Sequence, residues 1–225
     1  MEESLEHQLG EPLPQFSLTS ENAGKLADLD SIAADLQFVI AATERLQERE
    51  EAGTLQSDPV EVSALWQAAA VAYRRCFSSG RGHALSGRSR LAIPADWVDS
   101  LGDPELVAFH GVLLSLADKH VAHRVNDAEQ ARVLVFLQPA EKPSNDVGVG
   151  VMRVKLLLPD DFIRLARPLA EGLLAVLGRN VEAGQASIRE SLAAWPIKKL
   201  YAAAGVPLPD SPSVAASRSA IETPE

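Results

Sequence analysis

Apolar residues recur every three or four positions over three long stretches of the chain, and this spacing lines one face of an α-helix. The first stretch predicts a helix over residues 25–51. The second predicts a helix over residues 59–77, with Asp58 as its N-cap and a proline at its first position. The third predicts a helix over residues 104–124 that Asp103 caps in the same way.

The pattern changes after the third helix, where β-branched residues become frequent. Apolar strands at 133–137 and 147–158 are separated by a polar turn region, so we expect a β-hairpin over about residues 131–158. Beyond it, the spacing predicts a helix from residue 159 to about 181, with an irregularity at Pro168, and leaves open whether this helix continues towards residue 194.

These elements predict a mainly α fold: a helical bundle with one inserted β-hairpin. We expect a flexible leader over residues 1–22, a single helical domain over 23–203 and a disordered tail over 204–225. The boundary after residue 22 rests on the prolines of the leader, and the boundary after residue 203 rests on the prolines and serines of the tail.

Charge is distributed unevenly along the 225 residues, whose net charge is -10. Residues 1–59 contain 13 acidic and 3 basic side chains, whereas the remainder contains 18 of each. The acidic character therefore belongs to the N-terminal quarter and does not exclude a polyanionic partner. Residues 62–95 contain no carboxylate side chain but five arginines: Arg74, Arg75, Arg81, Arg88 and Arg90.

The cysteine count and the hydropathy pattern exclude several classes of protein. With Cys76 as its single cysteine, the chain has no internal disulfide framework and no cysteine-based zinc cluster. No apolar run approaches the roughly 20 residues of a membrane span, and the acidic start is unlike a signal peptide. We expect a cytoplasmic protein without a membrane partner, a metal or a cofactor.

Candidate chemistry is concentrated at the end of the third helix, where His120 and His123 lie one turn apart. They extend the apolar stripe of this helix, so each is expected to be partly desolvated, with a pKa suited to acid–base catalysis. Histidines at a helix C-terminus also simply complement the helix dipole. The spacing by itself favours this structural interpretation. The stripe consists of Leu106, Phe109, Leu113, Leu116, His120 and His123.

The run from His110 through Leu116-Ala-Asp-Lys-His-Val-Ala-His123, followed by Asn126 and Asp127, resembles the signature helix of HEPN-like proteins. These are helical bundles of prokaryotic toxin–antitoxin and phage-defence systems. Active members resemble metal-independent endoribonucleases, in which the motif helices of two subunits meet and their Arg and His side chains cleave RNA. The resemblance implies a homodimer that acts on RNA, with an antitoxin or another protein as a further partner.

The resemblance assigns a role to each matching residue. His123 matches the motif histidine and would be the general acid or base, His120 would support it, and Asp118 matches the polar position. The motif Arg, however, falls on Ala117, and alanine cannot bind a phosphate. Two hypotheses follow: an RNA-binding or RNA-processing protein, or a catalytically inactive, dimeric interaction module of the same fold.

Other cations would have to bind the phosphate in place of the missing Arg. The glycine- and serine-rich loop that follows the second helix could approach a phosphate closely. The alternative is that its arginines pair with the acidic N-terminal helix. The candidate RNA- or phosphate-binding residues are Arg81, Arg88, Arg90, Lys119 and Arg124.

Overall fold

The computed structural model describes residues 14–80, 89–118, 129–137, 139, 147–206 and 208. Over these residues the protein is mainly α-helical with one two-stranded antiparallel sheet, which confirms the predicted secondary-structure class. The elements are α1 (Glu21–Glu51), α2 (Pro59–Cys76), α3 (Ala95–Asp99), α4 (Pro104–Leu116), β1 (Glu129–Phe136), β2 (Gly148–Lys155), α5 (Phe162–Ala193) and α6 (Ile197–Ala203).

Side-chain caps determine where the first three long helices begin. Asp58 accepts a hydrogen bond from the Glu61 amide at 2.9 Å, and Asp103 accepts one from the Glu105 amide at 2.9 Å. Both predicted caps are therefore confirmed. Helix α1 begins at residue 21, four residues earlier than predicted, because Ser20 caps it by accepting from the Ala23 amide at 3.2 Å.

The chain divides into two compact units, a larger one over Thr19–Gln185 and a smaller one to which the described residues of Met1–Leu18 and Ala186–Glu225 belong. The larger unit contains the buried core, to which α1, α2, α4 and the first half of α5 contribute. The largest fully buried side chains include Trp66, Tyr73 and Phe162. In the smaller unit the Phe16 and Trp195 rings stack at 6.4 Å.

Helix α4 changes its helical geometry at its C-terminal end. Its α-helical part stops at Leu116, and Ala117 and Asp118 form a wider, π-type turn. Ala117 is only 5% exposed and joins Leu106, Phe109 and Leu113 among the buried core residues. Leu116, which the sequence analysis placed on the buried stripe, is only half-buried. The rest of the predicted helix lies outside the described residues.

The predicted hairpin is present, with slightly different strand bounds. Val133 pairs with Val151 and Val135 with Val149, so these four side chains share one face of the sheet. We call them the valine face. The second strand ends at residue 155 instead of 158, because the three leucines that follow are half-buried against the helical core.

Candidate functional site

Most of the predicted site residues lie outside the part of the chain that the structure describes. This applies to His120 and His123 and to four of the candidate cations: Arg81, Arg88, Lys119 and Arg124. Asp118 and Arg90 are described, and the two lie in different surroundings. The contacts of Asp118 show how the turn after α4 is used, and those of Arg90 show how the end of the arginine-containing loop is used.

An aromatic cluster joins the C-terminal turn of α2 to the middle of α4. The Tyr73 hydroxyl lies 2.7 Å from His110 Nδ1, within hydrogen-bond distance. The Phe77 ring lies 4.7 Å from the His110 ring, centroid to centroid, and 5.0 Å from the Tyr73 ring. Tyr73 is fully buried and His110 is half-buried. The histidine is therefore held by packing and by one polar contact.

Burial controls the ionisation of both partners in this hydrogen bond. It raises the pKa of the Tyr73 hydroxyl far above the ordinary value, and the nearby Cys76 adds to the effect. It lowers the pKa of His110, although Asp99 opposes that shift. Tyr73 therefore stays protonated, and the neutral imidazole is the favoured form of His110 in the folded protein.

The depressed pKa of His110 predicts a pH-dependent stability. The unfolded chain binds a proton on this histidine at higher pH than the folded protein does. We therefore expect the free energy of unfolding to be fully retained above about pH 6.5 and to decrease as the pH falls towards the folded-state pKa. Urea unfolding of the wild type and of His110→Gln between neutral and mildly acidic pH isolates this contribution, because the other histidines are common to both proteins. Equal pH dependence of the two proteins would contradict the prediction.

The C-terminal turn of α2 also supplies a cation to the end of α4. Arg74 Nε donates to Asp118 Oδ1 at 2.7 Å, and Arg74 Nη1 donates to Ser78 Oγ at 2.8 Å. Asp118, the predicted polar residue of the motif, is thus one half of a surface ion pair. Its neighbour Ala117 points into the core. The guanidinium next to the motif turn therefore comes from another helix.

Arg90 pairs with a carboxylate of α1, which is the alternative to phosphate binding that the sequence left open for the loop arginines. Its Nη2 lies 3.4 Å from Asp35 Oδ2 and 3.2 Å from Ser31 Oγ. Both charged side chains are nearly buried, with 12% of Arg90 and 10% of Asp35 exposed. The Arg90 amide also donates to the Gly80 carbonyl at 2.7 Å, so the two described ends of the loop meet beside α2. The Arg90 guanidinium is committed to holding the loop end on α1.

A groove of about 730 Å³ lies beside the start of α5 and contains further charges. Arg164 lies between two carboxylates, 2.6 Å from Glu105 and 2.8 Å from Asp161. The hydrogen bonds to both raise the pKa of Arg164 above its ordinary value, and the bond from Arg164 lowers the pKa of Glu105. Arg167 likewise bonds Glu171 at 2.7 Å. Neighbouring carboxylates neutralise both arginines of this groove, so the groove presents ion pairs to an incoming ligand instead of unpaired positive charge.

The described residues contain no group of three or more side chains that could hold a metal ion. None of the helices in the described ranges combines the length and the apolar character that a membrane crossing requires. No family model matches the chain, and neither a curated protein nor a solved structure matches it.

Two residues of the contact between α2 and α4 were not among the predicted site residues: Arg74 in the last turn of α2 and His110 in the middle of α4. The ionic partner of Arg74 is 44 positions away in the chain, so no local pattern indicates the pair. His110 had a local signal, since it lies four positions after Leu106 and three before Leu113, both of which are buried. Helical spacing therefore could have placed His110 at the edge of the core.

Proposed function

We propose that this protein is a self-associating interaction module on a HEPN-like helical bundle, and that it works by assembly without catalysis. The observation that carries the proposal is the uncovered valine face. Its four residues are each between 57% and 68% exposed. A single two-stranded hairpin is at best marginally stable in water, and packing on a further layer stabilises it. The hairpin of a single copy therefore lacks the second layer that would stabilise it.

The end of α4 supports the same proposal. A guanidinium at position 117 would point into the core, because Ala117 is 5% exposed and packs with the apolar residues of α4. Asp118 next to it is occupied by Arg74. The two described motif positions therefore serve packing and an interhelical ion pair, which favours the inactive form of the fold.

RNA processing is the second candidate, and one observation favours it. The guanidinium of Arg74, a residue of α2, reaches the turn where the HEPN-like resemblance expects an arginine, and the Arg74 side chain is 35% exposed. A guanidinium in that place could bind a phosphate if it left Asp118. His123 would then be the general acid or base, as the resemblance implies, and the arginine would be supplied by α2 instead of by the motif itself.

A two-part experiment tests the proposal. Sedimentation equilibrium over a wide concentration range is expected to show a dimer with a micromolar dissociation constant, as suits a small interface of about 1,000 Å². The same preparation incubated with total RNA, without metal, is expected to leave the RNA intact. A protein that stays monomeric at the highest concentration would refute self-association. RNA cleavage that His123→Ala abolishes would establish the second candidate.

A further inference from the structure

We infer that the hairpin docks on the hairpin of a second copy of this chain, with the two valine faces packed against each other. This inference rests on the proposed function, and it specifies the surface and the partner. The exposed fractions are 68% for Val133, 57% for Val135, 68% for Val149 and 63% for Val151. Contiguous exposed apolar side chains of this kind mark interaction sites on soluble proteins.

The apolar character continues beyond the strand ends. Leu137 and Val147, immediately outside the two strands, are 76% and 44% exposed. Together with the valine face they form a surface of six branched apolar residues at the turn end of the hairpin. The positions of Glu129, Arg153 and Lys155 follow on the same face at the other end of the strands. A charged partner would leave its own charges unpaired against such a surface, which is costly. The chemistry favours an equally apolar partner.

The other face of the sheet is less continuous in its apolar side chains, because Gly148 and Gly150 occupy two of its positions. Phe136 lies on that face, and its ring covers Gly150, so that a Cβ atom at Gly150 would be 3.0 Å from the ring. Phe136 also lies against Gly148, its cross-strand partner. The aromatic ring thus fills the space that the two glycines leave. Phe136 is itself 57% exposed and Met152, on the same face, is 41% exposed, so this face is open to solvent as well. It differs from the valine face in presenting one ring over two glycines, beside Arg132, where the valine face presents a row of branched side chains.

A second copy satisfies the requirements of this surface. The same apolar patch on both subunits gives a two-fold interface that closes on itself. Sheets pack about 10 Å apart with interdigitated side chains, and β-branched residues suit that packing. Burying both faces removes on the order of 1,000 Å² from water, about the minimum for a specific interface. Residues 60–225 carry 18 acidic and 18 basic side chains, so this part of the chain has no net charge to oppose self-association.

Edge-to-edge pairing of two hairpins is the alternative way in which two copies could meet. It would extend the sheet to four strands but leave all valine-face residues in water. Face-to-face packing buries them and excludes water from the sheet. We therefore expect the affinity of the dimer to depend on the valine side chains and to change little with salt concentration.

The main test places a charge on either face of the same strand. Val149→Glu puts a carboxylate into the inferred interface, and we expect the dissociation constant to rise at least tenfold. Met152→Glu is the matched control: Met152 is 41% exposed, lies on the opposite face and is paired with Arg132. Its dissociation constant should stay within twofold of the wild type. Sedimentation equilibrium measures all three proteins, and far-UV circular dichroism checks their helical fold.

Cross-linking gives a second measurement that needs no charge in the sheet. A short bis-maleimide is expected to link two copies of Val135→Cys but not two copies of Met152→Cys. The native cysteine does not compete, because Cys76 is buried and burial raises the pKa of its thiol to about 12. The result therefore reports which face of the hairpin meets the second copy.

The outcomes separate this inference from the proposed function. A wild type that is monomeric would overturn both. A dimer that Val149→Glu leaves intact, or equal cross-linking through both faces, would overturn only the inference and would move self-association to another surface. A tenfold loss in Val149→Glu alone, together with linkage through Val135→Cys alone, supports the face-to-face interface.

Discussion

Ala117→Arg is expected to destabilise the protein by on the order of 3–5 kcal/mol and not to produce a nuclease. Ala117 is 5% exposed, and it packs in the core with Phe109 and Leu113. An arginine there would bury a charge without a counter-ion and would overfill a packed site. The substitution introduces the residue that the resemblance to HEPN-like proteins would imply, at a position where the core leaves no room for it.

Val112→Arg is the matched control for this experiment. It introduces the same side chain on the same helix, where Val112 is 49% exposed, and should change the free energy of unfolding by less than about 0.5 kcal/mol. Urea unfolding followed by circular dichroism measures both variants. If Ala117→Arg were as stable as Val112→Arg, the turn after α4 would be open to solvent. Packing at position 117 would then no longer speak against an active motif.

Arg90→Ala is expected to cost about 3 kcal/mol, because it leaves the nearly buried Asp35 carboxylate without its less exposed cationic partner. Arg75 also lies 3.4 Å from Asp35, but 56% of the Arg75 side chain is exposed to solvent. Arg75→Ala should therefore cost less than about 1 kcal/mol, as exposed ion pairs do. The two losses in the free energy of unfolding compare a nearly buried arginine with an exposed one that pairs with the same carboxylate.

Neutralising the carboxylate tests the cause of this loss. Asp35→Asn combined with Arg90→Ala should be more stable than Arg90→Ala alone, because no unpaired charge then remains. Chemical denaturation of the wild type, Asp35→Asn, Arg90→Ala and the double variant gives the four free energies of unfolding of a double-mutant cycle. Equal stabilities for Arg90→Ala and Arg75→Ala would show that Arg90 does not hold the loop end. Arg90 would then again be a candidate for binding a phosphate.

Local features of the sequence predicted most of the fold. The caps Asp58 and Asp103, the proline after each of them and the alternation of β-branched residues act over a few positions, so they are readable without a structure. At the end of α4 the predicted buried stripe was wrong at one position. It included Leu116, which is half-buried, whereas Ala117, four positions after the buried Leu113, is 5% exposed. Positions three and four residues after Leu113 both fit helical spacing, so the pattern alone could not choose between them.

By itself the sequence determined that the described chain is helical with one hairpin, because helix caps, periodicity and β-branching are interactions between near neighbours. Only the tertiary structure decided how the charged and apolar surfaces are used. Arg74 meets Asp118 across 44 positions and Arg90 meets Asp35 across 55, and no local pattern records such pairs. The uncovered valine face is likewise a tertiary property. Strand alternation identifies a face, but only the packing of all other elements shows that none of the described helices covers it.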